Sequence, residues 1–469
     1  MSKNMKENRM GTDPVPQVLL KMGIPIICSL VLQACYNIVD SMFVARMPDM
    51  NGIAHSGELG VNALTLAFPI QMLIIAFGVG TGVGVNALLS RSLGQKNTKK
   101  LALAAGNGVT LGIIIYLCFV LFGIFGIRGY LTSQTSDADI LNMATTYLQI
   151  CTFLSIFIIE FGIYEKFLQS TGKTIYSTIA QISGALTNIV FDPIMIYGLL
   201  GCPAMGIAGA AWATVLGQMV SFVLAAFFQY TKNKEIPSGI IYLKPDGRTI
   251  REIYSIGTSA IIMQALMSVM TYGVNIIFGH VSSSAVTAYG IFYKIQQFIF
   301  FAGFGIRDAV TPLISYNYGM GSQKRVREGI RYGLIDTEII MLAGILILEL
   351  FAHPLARVFG LTAGTETLCV RAMRMIAPGF IFAGISIAAQ GVFQALESGT
   401  YSLIVSLLRL LIVVLPLCWI FSQTNDPETM IWLAFPISEA ISAVVAVFLM
   451  KKAERTKVEV MKNWGRSAS

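Results

Sequence analysis

Charged residues are scarce in this sequence, because Asp, Glu, Lys and Arg together make up only 12% of its 469 positions. A soluble globular protein carries about 25% charged residues, so water cannot be the only solvent of this chain. Histidine occurs only three times, at His55, His280 and His353, and these residues do not form a metal-ligand motif. These absences exclude an ordinary soluble enzyme and argue against a metal-dependent enzyme inside the membrane.

Disulfide and nucleotide-binding motifs are also missing. The seven cysteines are scattered and odd in number, and they form neither a disulfide framework nor a zinc spacing. The glycines of residues 78–84 are spaced by two with no strand before them, and the chain has no Walker A motif. We therefore expect no cofactor, no bound nucleotide and no enzymatic activity.

Apolar residues are abundant, at 55% of the chain with a mean hydropathy of +0.69. They recur in runs of about 20 residues, long enough to cross a hydrocarbon core of about 30 Å. These runs predict an all-α membrane protein with twelve transmembrane helices. The predicted helices cover residues 15–46, 59–84, 98–126, 142–168, 174–199, 206–230, 250–280, 285–313, 328–352, 367–395, 400–422 and 430–451.

The basic residues lie almost entirely between the apolar runs and concentrate in alternate connections. Such clusters fall in residues 3–9, 91–100, 232–251, 324–331 and 451–466. Because cytoplasmic loops carry an excess of Lys and Arg, we expect both termini in the cytoplasm. The net charge of +8 therefore reports membrane topology, and we expect no nucleic-acid partner.

The two halves of the sequence resemble each other when they are aligned so that Gln71 falls on Gln296 and Gly94 falls on Gly319. An even number of spans in each half predicts two six-helix bundles related by a pseudo-two-fold axis along the membrane normal. The predicted organisation is an N-terminal bundle over residues 1–230, a cytoplasmic linker over 231–249, and a C-terminal bundle over 250–469 that ends in a basic cytoplasmic tail.

Asp40 lies late in the first span with apolar residues on both sides, and Tyr36 falls on the same helical face one turn earlier. Ionisable residues inside membrane spans are functional by default. Burial disfavours the charged form of a carboxyl group, so Asp40 could exchange protons near physiological pH or stay ionised by binding a cation. The alternative is a polar residue that is merely satisfied between helices.

The fifth span carries Asn188 and Asp192, which present an amide oxygen and a carboxylate on one helix face. Thr214 of the sixth span adds a hydroxyl. Together with Asp40 these residues form a cluster of hard oxygen atoms, which suits a shared proton or a small hard cation such as sodium and does not suit a transition metal. For Asn188 and Asp192 a capped helix end is the alternative.

A second group of residues is typical of a substrate cavity. Methionine side chains and aromatic faces suit flat cationic ligands, although stripes of such residues also arise from simple packing. Glu160 is an acid in a span with no basic residue before Lys166. The candidate cavity residues are Glu160, Met263, Met267, Met270, Gln71, Gln296 and Tyr293.

Three stretches, Tyr36–Asp40, Asn86–Arg91 and Pro312–Gly319, resemble the multidrug and toxic compound extrusion (MATE) family, in particular its MepA-like and DinF-like bacterial members. The resemblance implies a cation or proton site at Asp40, Asn188 and Asp192, with Thr214 as a further ligand. It also implies an antiporter that exports amphipathic, mostly cationic drugs by alternating access. Protons are favoured as the coupling ion over sodium ions.

Members of the NorM-like branch place carboxylates on the seventh and tenth helices, and this sequence has no acid at the middle of either span. Two alternatives remain open. One is a lipid-linked oligosaccharide flippase of the same superfamily, which would use in-span cations such as Arg307 and Arg409. The other is a channel or receptor without coupled transport. The expected setting is a multi-pass monomer in a bacterial plasma membrane, in contact with lipids and small cationic drugs.

Overall fold

The computed structural model describes residues 8–49, 55–237, 239–357, 359 and 363–463. Within these residues eleven helices are long and apolar enough to cross a membrane. The helices Ala138–Phe153 and Ile156–Ser170, which meet at a bend of 45°, are apolar enough together to make a twelfth when they are counted as one broken span. Each of the twelve predicted spans therefore has a counterpart, and the prediction of an all-α membrane protein is confirmed.

The spans are numbered here in chain order, with the two parts of the bent span written α4a and α4b. They are α1 (Val15–Ala45), α2 (Ser56–Gly94), α3 (Thr98–Phe125), α4a (Ala138–Phe153), α4b (Ile156–Ser170), α5 (Thr174–Tyr197), α6 (Ile207–Lys232), α7 (Gly247–Val281), α8 (Ser283–Gly319), α9 (Gln323–Arg357), α10 (Ala363–Ala395), α11 (Gly399–Ser422) and α12 (Pro427–Met461).

Most of these helices begin and end within six residues of the predicted bounds, whereas α2 and α12 each run ten residues further at their C-terminal ends. The added turns of α2 contain Asn86, Ser90, Arg91 and Ser92. Hydropathy marks only the part of a helix that crosses the hydrocarbon core, so polar turns that continue a helix beyond that core escape the prediction.

The chain forms two compact units. The N-terminal unit comprises residues 28–89 and 97–257, and the C-terminal unit comprises residues 1–27, 90–96 and 258–469. The linker therefore belongs to the N-terminal unit, and the beginning of α1 belongs to the C-terminal unit. The predicted boundaries at residues 230 and 250, which rest on the sequence repeat, stay a prediction.

In the N-terminal unit the linker is fastened to α3. A short 3-10 helix, Ile240–Leu243, lies between α6 and α7. The hydroxyl of Thr110 donates to the carbonyl oxygen of Leu243 at 2.6 Å. The side-chain oxygen of Asn107 accepts a hydrogen bond from the backbone N–H of Asp246 at 2.8 Å. These bonds satisfy polar groups on both sides and position the start of α7.

In the C-terminal unit the core is rich in aromatic residues, and Phe278, Tyr289 and Trp432 are almost completely buried in it. The α10 span is interrupted by a 3-10 turn at Ala377–Gly379, and α11 contains one π turn at Leu408–Ile412. The sequence repeat aligns the interruption of α10 with the break between α4a and α4b. Interrupted helices of this kind are frequent at functional positions in membrane transporters.

Candidate functional site

Small residues bring α5 and α6 into close contact in the N-terminal unit. A Cβ atom added at Gly217 would lie 2.6 Å from the carbonyl oxygen of Gly184 and 3.1 Å from the Cβ of Asn188. Only glycine at these positions lets the two helices approach so closely, as is common between membrane helices. This approach places Asn188 on α5 beside Thr214 on α6.

The side-chain amide of Asn188 links Asp192 to Thr214. With the amide nitrogen directed at the carboxyl group, it donates to Oδ2 of Asp192 at 3.3 Å, while the amide oxygen accepts from the backbone N–H of Thr214 at 3.2 Å. Asn188 is 3% exposed and Asp192 is fully buried. The pair one turn apart on α5 is therefore buried and joined to α6 by hydrogen bonds, and its role as a site stays a prediction.

Asp40 completes this site from α1. Its carboxyl group lies within hydrogen-bonding distance of the carboxyl group of Asp192. Its Oδ1 atom is buried and has no hydrogen-bond partner among the described residues. Ionised carboxylates have no donor, so this contact requires a proton on one of the two groups or a cation between them.

Two hydrogen bonds hold α1 against α5 on either side of Asp40. The amide nitrogen of Gln181 donates to the side-chain oxygen of Gln33 at 2.6 Å. The hydroxyl of Tyr197 donates to the carbonyl oxygen of Phe43 at 2.7 Å. Tyr36, one turn before Asp40, interacts electrostatically with both carboxyl groups, as its position on the Asp40 face predicts.

The structure adds two residues that the sequence pattern did not single out, Tyr147 and Cys151 of α4a. The amide nitrogen of Gln71 donates to the hydroxyl of Tyr147 at 3.1 Å and lies 3.7 Å from the Sγ atom of Cys151. Tyr147 also bonds to the side chain of Thr214 and interacts electrostatically with Asp40. The only sequence signal was their spacing of four residues, which puts a phenol and a thiol on one face of an apolar span.

The site around Asp40 and Asp192 offers carboxyl, amide and hydroxyl oxygen atoms. Neither Asp40 nor Asp192 forms an ion pair with a basic side chain in the described part of the chain. In the same residues no group of three or more His, Cys, Asp or Glu side chains could hold a metal ion. The arrangement can share one proton between two carboxyl groups, or it can supply carboxylate, amide and hydroxyl oxygens to one sodium ion.

The other candidate cavity residues lie elsewhere. Met263 accepts a hydrogen bond from the hydroxyl of Ser402 at 3.2 Å through its sulfur atom. Met270 belongs to the hydrophobic core of the C-terminal unit, and Tyr293 packs against that core. Met267 and Gln296 are half-buried in the same unit. A role of these residues in substrate binding stays a prediction.

Glu160 lies on α4b and is only 3% exposed. Both of its carboxyl oxygens are buried without a hydrogen-bond partner among the described residues. Two in-span cations differ from it because each is paired with an acid. Arg307 pairs with Asp308 at 2.8 Å, and Arg409 pairs with Glu439 at 2.6 Å.

One family model and several curated relatives cover most of this chain. The MatE family model matches residues 25–194 and 259–420, which include Asp40, Asn188 and Asp192. The multidrug export protein MepA of Staphylococcus aureus (strain MRSA252) is 26% identical over 450 residues, covering 93% of this chain and 94% of that protein. MepA of Staphylococcus haemolyticus (strain JCSC1435) is 23% identical over 434 residues, covering 92% of this chain and 93% of that protein.

Solved structures show the same fold. A multidrug resistance MATE family transporter in an outward-facing conformation superposes with a TM-score of 0.90 at 21% identity, covering 98% of this chain and 100% of the other. A MOP superfamily transporter from Pyrococcus furiosus, described as having a binding pocket of reversed polarity, gives a TM-score of 0.86 at 21% identity and the same coverage. The relatives are named as export proteins and not as enzymes, which confirms the prediction of a transporter. This chain belongs to the MATE family of multi-pass membrane transporters.

Proposed function

We propose that this protein is a multidrug efflux antiporter that exports amphipathic, mostly cationic compounds. Inward flow of a coupling ion through the site formed by Asp40, Asn188 and Asp192, with Tyr36 and Thr214 beside it, drives export by alternating access. The relatives named as multidrug export proteins support the substrate class. The basic connections support the orientation with both termini in the cytoplasm.

The observation that carries this proposal is the contact between the carboxyl groups of Asp40 and Asp192. Two such groups at one buried position cannot both remain ionised without a cation. Binding and release of a proton or cation therefore change the charge and hydrogen bonding of α1 and α5. A ligand that binds one facing state better than the other shifts the equilibrium between them, and this differential binding couples ion flow to drug export.

We favour protons as the coupling ion. Asp192 is fully buried, and neither it nor Asp40 forms an ion pair with a basic side chain among the described residues. Burial without a cationic partner disfavours the charged form of a carboxyl group, which supports exchange of protons at this site. Purified protein in proteoliposomes separates the two cases when a proton gradient and a sodium gradient are imposed one at a time. Dye release that follows only the sodium gradient would contradict the preference for protons.

The proposed function is tested first by Asp40→Asn. The amide keeps the size of the side chain but cannot release a proton near neutral pH, so we expect drug resistance in an efflux-deficient host to fall at least tenfold while the protein level in the membrane is unchanged. Asp137→Asn is the matched control, because Asp137 caps the exposed start of α4a and asparagine caps a helix equally well. Full resistance of the Asp40→Asn variant would exclude Asp40 from coupling.

The flippase alternative loses support because two of the in-span cations that favour it, Arg307 and Arg409, are each paired with an acid. A site for a pyrophosphate head group needs cations that are available to the ligand. Rescue of growth in a flippase-depleted strain would nevertheless favour that function over drug export. Channel or receptor function predicts dye flux that is independent of any ion gradient, which the same proteoliposome assay detects.

A further inference from the structure

A buried carboxyl group without a partner lies between α3 and α4b in the N-terminal unit. Glu160 faces Gly112 so closely that a Cβ atom added to this glycine would collide with Oε1 of Glu160. The missing side chain at Gly112 thus provides the space that the carboxyl group occupies. Because both oxygens are buried and lack hydrogen-bond donors among the described residues, an ionised carboxylate would lose its hydration without compensation.

The C-terminal unit contains the same arrangement with the two helices exchanged. Glu338 lies on α9, and a Cβ atom added to Gly384 of α10 would lie 2.5 Å from its Oε1 atom. This Oε1 atom is also buried without a partner among the described residues. The α9 and α10 spans repeat α3 and α4. The alignment of the two halves puts Gly112 at the position just before Glu338, and it puts Glu160 at the position just after Gly384.

The two units thus place one carboxyl group at the same helix interface, although opposite helices supply it. A residue kept only for packing has no reason to recur there as an acid, since an apolar side chain fills such a space without desolvating a polar group. What the two positions share is a carboxyl group opposite a glycine. This recurrence indicates that the chemistry of the carboxyl group, and not only its volume, matters at the interface.

A pair of tyrosine hydroxyl groups lies close to Glu160 in the N-terminal unit. Tyr164, one turn further along α4b, interacts electrostatically with Glu160, and its hydroxyl is hydrogen-bonded to the hydroxyl of Tyr230 at 2.9 Å. Both tyrosines line a cavity of 310 Å³, which is also lined by Tyr242 and Leu243 of the linker. Hydroxyl groups both donate and accept hydrogen bonds, so this pair is suited to pass a proton.

We propose that Glu160 and Glu338 are equivalent proton-binding sites, one in each unit, that are separate from the Asp40 and Asp192 pair. Each is a neutral carboxylic acid at rest. The hydroxyls of Tyr164 and Tyr230 exchange the proton of Glu160 with the cavity at the linker. Among the described residues, Tyr164 interacts electrostatically with Glu160, and Asp336 lies two residues before Glu338 on α9.

Infrared spectroscopy of the full-length protein in lipid tests the protonation directly, because only a protonated carboxyl group gives the carbonyl-stretch band of a carboxylic acid. We expect Glu160→Gln and Glu338→Gln each to remove part of this band at neutral pH. Glu58→Gln is the control, since Glu58 is exposed, and it should leave the band unchanged. A band unaffected by both substitutions would show ionised groups and overturn the proposal.

The route is tested by Tyr164→Phe, which keeps the ring that packs on Phe167 and Phe222 and removes the hydroxyl. After transfer to heavy water we expect the Glu160 part of the band to shift at least tenfold more slowly than in the unmodified protein. This variant also serves if Glu160→Gln does not fold. An unchanged exchange rate would exclude the hydroxyl pair as the path.

The role of these protons in transport rests on the proposed function, but their presence does not. The Asp40→Asn variant should lose drug export and keep the Glu160 and Glu338 parts of the band. If unmodified protein shows both parts without proton-driven export, the coupling proposal fails and this one stands. If export is proton-driven and neither part exists, this proposal fails alone.

Discussion

The α5 and α6 pair of the N-terminal unit and the α11 and α12 pair of the C-terminal unit occupy equivalent positions in the repeat, yet they are joined differently. The repeat aligns Arg409 with Gly184 and Glu439 with Thr214. In the N-terminal unit, Gly184 lets α5 and α6 pack closely. In the C-terminal unit, α11 and α12 are joined by the ion pair of Arg409 and Glu439 at 2.6 Å. The guanidinium of Arg409 also lies over the ring of Phe300, 5.0 Å from its centre.

The backbone of α11 also differs from that of α5, in addition to the side chains at the interface. At Leu408–Ile412, α11 makes a π turn, and the carbonyl oxygen of Arg409 accepts a hydrogen bond from the hydroxyl of Ser438 at 3.1 Å. Single π turns in α-helices often mark functional positions. Here the turn lets a large cation fit at a helix interface that a glycine occupies in the other half. The C-terminal unit therefore neutralises its charges internally at this interface, whereas in the N-terminal unit Asp40 and Asp192 have no basic partner among the described residues.

The largest effect should come from breaking the ion pair in the C-terminal unit. Arg409→Met leaves Glu439 as a buried acid without its partner, which typically lowers the free energy of unfolding by about 3 to 5 kcal/mol. Replacing both residues, as Arg409→Met with Glu439→Leu, should restore most of this loss. Unfolding of the purified protein by denaturant measures both variants. A single variant as stable as the double one would show that the pair does not define the C-terminal interface.

A smaller effect is expected from filling the equivalent position in the N-terminal unit. In the Gly184→Ala variant the new methyl group would collide with the hydroxyl of Ser221 and lie 2.5 Å from the carbonyl oxygen of Gly217. Overpacking of this kind costs about 1 to 3 kcal/mol. It should also displace Asn188 and reduce export. Gly129→Ala is the control, because no atom lies within 4 Å of the added methyl group, and equal losses from both would contradict the close packing of α5 and α6.

Much of this architecture was predictable from the sequence. Apolar runs give the number of spans because each must cover the same membrane thickness. Asn188 and Asp192 could be placed on one helical face because they are one turn apart. Asp40 stood out because an acid in an apolar run requires an explanation.

The contacts between distant parts of the chain could not be predicted in the same way. The proximity of Asp40 to Asp192 depends on how α1 packs against α5, and the addition of Tyr147 depends on the packing of α4a. Neither of these packing contacts produces a periodic pattern in the sequence. The sequence does not distinguish Glu338 from the neighbouring acid Asp336, and only the packing of Glu338 against Gly384 reveals its buried oxygen.

The two units also differ at the starts of α1 and α7, the first spans of the two halves. Substitutions there should have the smallest effect on stability. Before α7, the carboxylate of Asp246 accepts hydrogen bonds from the backbone N–H and the hydroxyl of Thr249, at 2.9 and 2.6 Å. Before α1, by contrast, Arg325 donates to the carbonyl oxygens of Met10 and Asp13, at 2.8 and 2.7 Å. One start is stabilised by an acid and the other by a base, so only the first should respond when the pH falls below the usual pKa of an aspartate.

The hydrogen bonds from Thr249 hold the pKa of Asp246 below its usual range. A lowered pKa means that folding favours the ionised form, so the contribution to stability is complete above the pKa of the unfolded chain and is lost as the pH falls through the pKa of the folded protein. Asp246→Ala should therefore lower the unfolding midpoint slightly at neutral pH. The difference from the unmodified protein should shrink only as the pH falls below the pKa of an unfolded aspartate, about 3.9. Asp246→Asn should show a smaller loss at neutral pH because the amide still caps the helix. A difference that grows on acidification would show that Asp246 does not stabilise α7 through its charge.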